Sequence, residues 1–217
     1  MKKILFLNPN SSRKVTRDIK EAVSGFDCGT GVSLAFAELA QAPPGIETRA
    51  HIEAVIPLIE NHLLTTEADV AVLACFSDPG IDYLRGRLSI PIVGIGEAAY
   101  LKASRIGKFG IVSIVDDSIA RHRRYLEKLR LDGFLAKDIA LGLKVSELGN
   151  TLTVTKALTQ VVDELVAANA ESIVLGCAGL GSYRSDLEVQ YGLPVIEPSL
   201  AALEKITAGT DLAIIKH

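Results

Sequence analysis

Apolar residues occur along this chain in short unbroken runs, separated by stretches where apolar positions recur every three or four residues. Val70-Ala71-Val72-Leu73-Ala74 and Ile173-Val174-Leu175 are the clearest runs. Runs of this length suit strands covered on both faces, as in parallel sheets. The pattern predicts strands over Lys3–Asn8, Val32–Ala37, Asp69–Cys75, Pro91–Ile95, Phe109–Val115, Phe134–Ile139, Ser172–Cys177 and Pro194–Ile196. It predicts amphipathic helices over Arg13–Ser24, His51–Glu67, Ala98–Ser104, Ser118–Arg130, Thr151–Ala168 and Leu200–Thr207, the long one N-capped by Asn150. Strands alternating with helices predict an α/β protein on parallel sheets.

The pattern also repeats. Ala68-Asp69-Val70-Ala71-Val72-Leu73-Ala74-Cys75 resembles Ala170-Glu171-Ser172-Ile173-Val174-Leu175-Gly176-Cys177, the second copy lying 102 residues on. Ile90-Pro91-Ile92-Val93 resembles Leu193-Pro194-Val195-Ile196, and Lys3–Leu7 matches Lys108–Ile114 loosely. The chain therefore reads as two pseudo-symmetric α/β lobes, each placing a cysteine at the carboxyl end of a strand, where open α/β sheets bind ligands. Facing lobes would set Cys75 and Cys177 on opposite walls of one cleft. The expected division is residues 1–96 with 198–217 as the first lobe and 97–197 as the second.

Composition narrows the function. The chain has 217 residues, 48% apolar and 23% charged, with a net charge of −3. That balance gives no reason to expect a nucleic acid or membrane partner. No apolar run reaches the roughly 18–20 residues of a membrane span. The run after Met1-Lys2-Lys3 ends at Asn8-Pro9-Asn10, so it reads as a first strand rather than a signal peptide. Cys28, Cys75 and Cys177 give an odd count without zinc-type spacing, as expected of a reduced, cytoplasmic protein. His51, His62, His122 and His217 show no ligand spacing, so no metal site is expected.

Both repeat cysteines precede turns rich in small residues: Phe76-Ser77-Asp78-Pro79-Gly80 and Ala178-Gly179-Leu180-Gly181-Ser182. Exposed N–H groups in such turns, and helices starting beyond them, favour anions and lower a thiol's pKa. At least one of the two thiols is therefore expected to ionise below its ordinary value. A single strand-end cysteine is more often plain core packing; two at matching points of a repeat suggest paired chemistry. Racemisation at a carbon alpha to a carbonyl needs such a pair, one group removing a proton from one face and the other returning one to the opposite face. No cofactor is required for that chemistry.

The segments Asn8-Pro9-Asn10-Ser11-Ser12, Ala42-Pro43-Pro44-Gly45-Ile46-Glu47, Cys75–Gly80, Pro91–Ala98 and Leu175–Leu180 together resemble the hydantoin racemase branch of the Asp/Glu racemase superfamily. The resemblance implies two lobes with the active site between them, no cofactor, a small carbonyl substrate such as a hydantoin or allantoin, and a homo-oligomer. It implies Cys75 and Cys177 as the catalytic pair. Asn10 and Ser11 would hold substrate oxygens, with Phe76, Ser77 and the Ala178–Gly179 backbone completing the site. Where relatives carry substrate-binding threonines, this chain has Ser113-Ile114-Val115-Asp116; only Ser113 can substitute, and Asp116 would bring a negative charge to an anion-stabilising site. Maleate isomerisation and amino-acid racemisation are poorer fits within the same superfamily.

Other features have competing readings. Gly94-Ile95-Gly96-Glu97-Ala98-Ala99 fits a dinucleotide fingerprint, with Asp116 as the ribose-binding acid, and makes an NAD-binding protein the main rival. A two-lobed protein that binds a small molecule without catalysis is another. Arg121, His122, Arg123, Arg124, Lys128 and Arg130 read as a solvated basic helix face paired with Glu127 and Asp132. Cys28 reads as structural, and Asp78 as the cap of the helix after the Cys75 turn.

Overall fold

The computed structural model describes residues 1–209 of the chain. Its strands are β1 (Lys2–Asn8), β2 (Val32–Glu38), β3 (Val70–Leu73), β4 (Ile92–Gly94), β5 (Phe109–Ser113), β6 (Leu135–Ala140), β7 (Ser172–Leu175) and β8 (Val195–Ile196). The α-helices are α1 (Arg13–Val23), α2 (Arg49–Leu64), α3 (Ile81–Arg87), α4 (Ile95–Ser104), α5 (Asp116–Leu129), α6 (Thr151–Ala167), α7 (Arg184–Tyr191) and α8 (Pro198–Ala208). All the predicted strands form. The pattern missed α3 and α7, whose polar residues and short length leave little periodic signal. Asn150 caps α6 as expected, its side chain accepting from the Thr153 N–H.

Two parallel four-stranded sheets result, ordered β2-β1-β3-β4 and β6-β5-β7-β8, the same order repeated in the second half of the chain. In each, the chain reverses direction of winding between the first and third strands, the switch point where such sheets open a ligand crevice. Alternation within the strands divides the core into layers. Ile4, Phe6, Val70, Val72, Phe109, Ile111 and Val174 face a central cluster shared by both sheets, with residues of α1, α4, α5 and α8 between them. Leu5, Leu7, Ala71 and Leu73 face an outer layer with α2 and α3. Val112, Ile173 and Leu175 face the corresponding layer with α6 and α7. The expected lobe boundary near Gly94–Glu97 falls where β4 runs into α4. The final helix, α8, packs on α4, α1 and β4; residues 210–217 of the first-lobe assignment, His217 among them, lie outside the described residues.

One buried carboxylate fixes the turn after β3. Asp78 is 3% exposed and takes a left-handed φ of 41°, a strained conformation for a residue with a side chain. It caps a helix, but not the next one as predicted: α3 begins at Gly80 without a side-chain cap. Asp78 reaches instead to α4, accepting from the Gly96 N–H at 3.1 Å and the Glu97 N–H at 2.7 Å, and from the Tyr125 hydroxyl of α5 at 2.9 Å. Gly94 makes room for it, since a Cβ there would lie 2.3 Å from the Asp78 carboxyl carbon.

Burial pushes the Asp78 carboxyl from 3.8 up to about 7, outweighing its three donors. A raised folded-state pKa means that the neutral form's stabilisation is complete below the unfolded pKa and is lost as pH rises to the folded one. Urea denaturation of Asp78→Asn beside the wild type should therefore show the variant gaining relative stability between pH 4 and about 7. A pH-independent difference would contradict the burial argument.

Candidate active site

Cys75 lies two residues beyond β3 and Cys177 two residues beyond β7, so the repeat places both sulfurs at the same point of equivalent sheets. Each turn brings the N–H two residues on towards its own sulfur. The Gly179 N–H donates to Cys177 Sγ at 3.4 Å, and the Ser77 N–H acts on Cys75 in the same way. The turn after Cys177 continues as a 3₁₀ segment, Ala178–Tyr183, lying against α1, with Gly179 near Val15 and Gly181 against Ala22. The turn after Cys75 lies against α5: the Phe76 ring stands edge-on to His122 at 5.0 Å, and Tyr125 holds Asp78. Each cysteine turn is thus seated on the first helix of the opposite half.

Between the turns is a cavity of about 40 Å³, room for only a few waters. Cys75, Phe76 and Ser77 line it from the first half, and Gly176, Cys177 and Ala178 from the second. Asn10 also lines it. Its Oδ1 is taken up by the Asn8 side chain and the Ser12 N–H, which leaves the Nδ2 donors for a ligand. Ile46, Glu47 and Val145 close a further side. There the Val145 N–H donates to Glu47 Oε1 at 2.8 Å, one of the hydrogen bonds that join the two halves. On the Cys75 side a larger pocket of about 430 Å³ shares Ser77 and His122 with the cavity.

Burial raises both thiols, Cys75 to about 12 and Cys177 to about 11. The backbone donors at Ser77 and Gly179 oppose this; the neighbouring Cys177 and Asp78 raise Cys75 further, and Asp18 and Glu47 raise Cys177. The expectation of an easily ionised thiol therefore fails. One backbone donor at each sulfur does not offset the cost of burying its charged form.

Several other expectations need correction. Ser113 does not line the cavity; it is fully buried and bonded to His122 and Asp138. Ser11 stands outside as well, its N–H tied to the Pro43 carbonyl. Asp116 is exposed on the first turn of α5, so its charge does not enter the site. Ser118 and His122, one helical turn apart on that helix, line the cavity instead. His122 is 2% exposed, although the arginines around it suggested a solvated face. Arg121 is half-buried and close enough to lower the Cys75 thiol, while Arg123 does pair with Glu127. At the dinucleotide-like segment, the N-terminus of α4 is filled by the Asp78 carboxylate, where a pyrophosphate would have to sit. Glu97 there pairs with Arg85 and Lys205.

The geometry thus gathers the two repeat cysteines at one small cavity. The sequence profile of the Asp/Glu/hydantoin racemase family matches residues 4–206. The chain belongs to that family. It is 32% identical over 213 residues to a hydantoin racemase of Paenarthrobacter aurescens, spanning 92% of this chain and 87% of that one. A hydantoin racemase of a Pseudomonas species is 27% identical over 221 residues, spanning 97% and 86%. The fold is that of an allantoin racemase from Klebsiella pneumoniae, with a TM-score of 0.90 at 24% identity over 98% of this chain and 89% of that one. A glutamate racemase from Francisella tularensis aligns with a TM-score of 0.72 at 15% identity, covering 95% and 80%. As a member of a racemase family the chain is an isomerase. Among the described residues no helix is long and apolar enough to cross a membrane.

The raised thiols give a direct expectation. Iodoacetamide should modify Cys75 and Cys177 slowly at pH 7.5, with rates climbing in step with pH up to at least 10, as followed peptide by peptide in a mass spectrometer. A rate that levels off below pH 8 for either cysteine would show an ionised thiol and refute the burial argument.

Proposed function

We propose that this chain racemises a 5-substituted hydantoin or a related ureide such as allantoin, without a cofactor, by proton transfer between Cys75 and Cys177 at the carbon alpha to a carbonyl. The supporting observation is the placement of the two cysteines at equivalent points of the repeat, both lining one cavity. The 32% identical relative is named a hydantoin racemase, which favours that substrate class.

In this reading one sulfur, as thiolate, takes the proton from the chiral carbon, and the electron pair moves onto the adjacent carbonyl oxygen. The opposite thiol then gives its proton to the other face and becomes the thiolate, so the reverse reaction exchanges the roles. A high thiol pKa makes whichever sulfur is ionised a strong base towards a weakly acidic C–H. The Ser77 and Gly179 N–H groups hold the sulfur charge, and the free Asn10 Nδ2 is suited to hold the oxyanion. Asp116 faces away from the cavity, which removes the electrostatic objection to an enolate intermediate. Phe76, Ser77 and the Ala178 backbone shape the walls against the substrate ring. We place this activity in the cytoplasm, in a homo-oligomer.

The test is loss of circular dichroism from single enantiomers of several 5-substituted hydantoins and of allantoin in D₂O. Complete decay with deuterium at the chiral carbon, lost in both Cys75→Ser and Cys177→Ser, is the expected result. Racemisation that survives either substitution at near wild-type rate would remove the two-thiol mechanism. Decay confined to glutamate or aspartate would remove the ureide assignment.

A further inference from the structure

His122 carries a polar network that the thiol chemistry leaves unexplained. Its Nδ1 lies 2.9 Å from Asp138 Oδ2 and 3.0 Å from Ser113 Oγ, and Ser113 donates its hydroxyl proton to Asp138 Oδ1. An ionised carboxylate has no proton to give, and the single Ser113 proton is already on the other oxygen. The proton between His122 and Asp138 therefore sits on Nδ1. That fixes the tautomer: Nε2, on the ring edge turned away from Asp138, carries a lone pair whenever the imidazole is neutral. This is not a hydrolase triad, because serine and carboxylate meet the same ring nitrogen and no second nitrogen activates the serine.

The position of the pair is informative. The His122 and Asp138 side chains are 3% and 2% exposed. Burying a carboxylate and an imidazole costs desolvation that apolar residues of the same volume would not, so fold stability alone gives little reason for this pair. His122 lines the catalytic cavity, while neither of its partners does. Phe76, next to Cys75, locks the ring from the other side. At the end of β1 the first half holds neutral contacts instead, Asn8 Nδ2 to Asn10 Oδ1 at 2.9 Å and to Thr16 Oγ1 at 3.2 Å. Since the cavity and the larger outer pocket share Ser77 and His122, a substrate whose substituent extends outwards from Cys75 passes the imidazole.

We propose that His122 is a substrate-binding residue, its Nε2 accepting a hydrogen bond from an N–H of the ring or ureido group while Asp138 and Ser113 hold the imidazole in place. The proposal rests on the ureide reading above, since such substrates carry N–H donors beside the reacting carbon. Protonation of His122 would put a hydrogen on Nε2, facing the substrate's own N–H. KM should then rise as pH falls, with kcat changing less. The titratable groups around His122 are Asp138 from β6, Cys75 and Asp78 from the cysteine turn, Tyr100 from α4, and Arg121 and Tyr125 from its own helix. Asp78, pushed up to about 7, also changes charge on the acid side.

The experiment measures kcat and KM against pH with a hydantoin or allantoin for the wild type, His122→Gln, and the double variant His122→Leu/Asp138→Leu. The glutamine offers an acceptor that does not titrate, and should abolish the acid-side rise in KM. The double variant replaces the buried pair with apolar residues, so no charge is orphaned. It should fold and raise KM about tenfold or more, as expected for a lost acceptor opposite a buried N–H. An unchanged acid-side rise in His122→Gln would assign that titration to Asp78 and overturn the proposal, as would a wild-type KM in the double variant. A wild type that racemises no ureide would overturn the functional reading itself, and this proposal with it.

Discussion

The Asp78 carboxylate ties together three parts of the molecule that the chain connects only at long range. It belongs to the Cys75 turn, caps α4 at the junction between the sheets, and takes the hydroxyl of Tyr125 from the second half. Without it the turn would have no fixed relation to the helix on which it sits, and Cys75 would have no fixed relation to Cys177. A carboxyl group so deeply buried is expensive to ionise, and its strained backbone adds to the cost. Gly94 and Gly96 are small so that this carboxyl can pack against them. Their dinucleotide-like spacing follows from that packing.

The second organising feature is the exchange of turns. Each half presents its cysteine on a loop that rests against the other half's first helix, so the central cluster of apolar residues cannot be divided cleanly between the two. The cavity between the sulfurs is small because both turns are pressed home. The contact on its Glu47–Val145 side is light by comparison, one hydrogen bond with Gly45 packed beneath Val145. Admitting a substrate larger than a few waters requires movement, and this side offers less resistance than the helix-seated turns.

Much of this was legible in the sequence. Unbroken apolar runs located the central strands, such as β3 and β7, because parallel strands buried on both faces leave that signature. The repeat around Cys75 and Cys177 pointed to one cavity that both cysteines line, because equivalent sheets put equivalent residues at equivalent ends. What the sequence hid depended on the third dimension. His122 sits among arginines whose exposure says nothing about its own, and its partner Asp138 comes from an edge strand with a mixed pattern. The target of the Asp78 cap lies eighteen residues on, beyond a helix too short to be read. The height of the thiol pKa values depends on how tightly the turns close, which no motif encodes. Ser113 occupied the family's substrate-binding position in sequence, yet its neighbours drew it inwards.

The difference between the polar groups beside the two sulfurs has a thermodynamic consequence. Two enantiomers free in solution have equal energies, so the equilibrium constant of their interconversion is one whatever the protein looks like. The Haldane relation then requires kcat/KM to be identical in the two directions. An imidazole beside Cys75, set against different polar groups beside Cys177, cannot make the chain prefer one product. It can only tighten the binding of one hand and slow that hand's turnover by the same factor. A lopsided site of this kind would show itself as unequal saturation curves that share one initial slope.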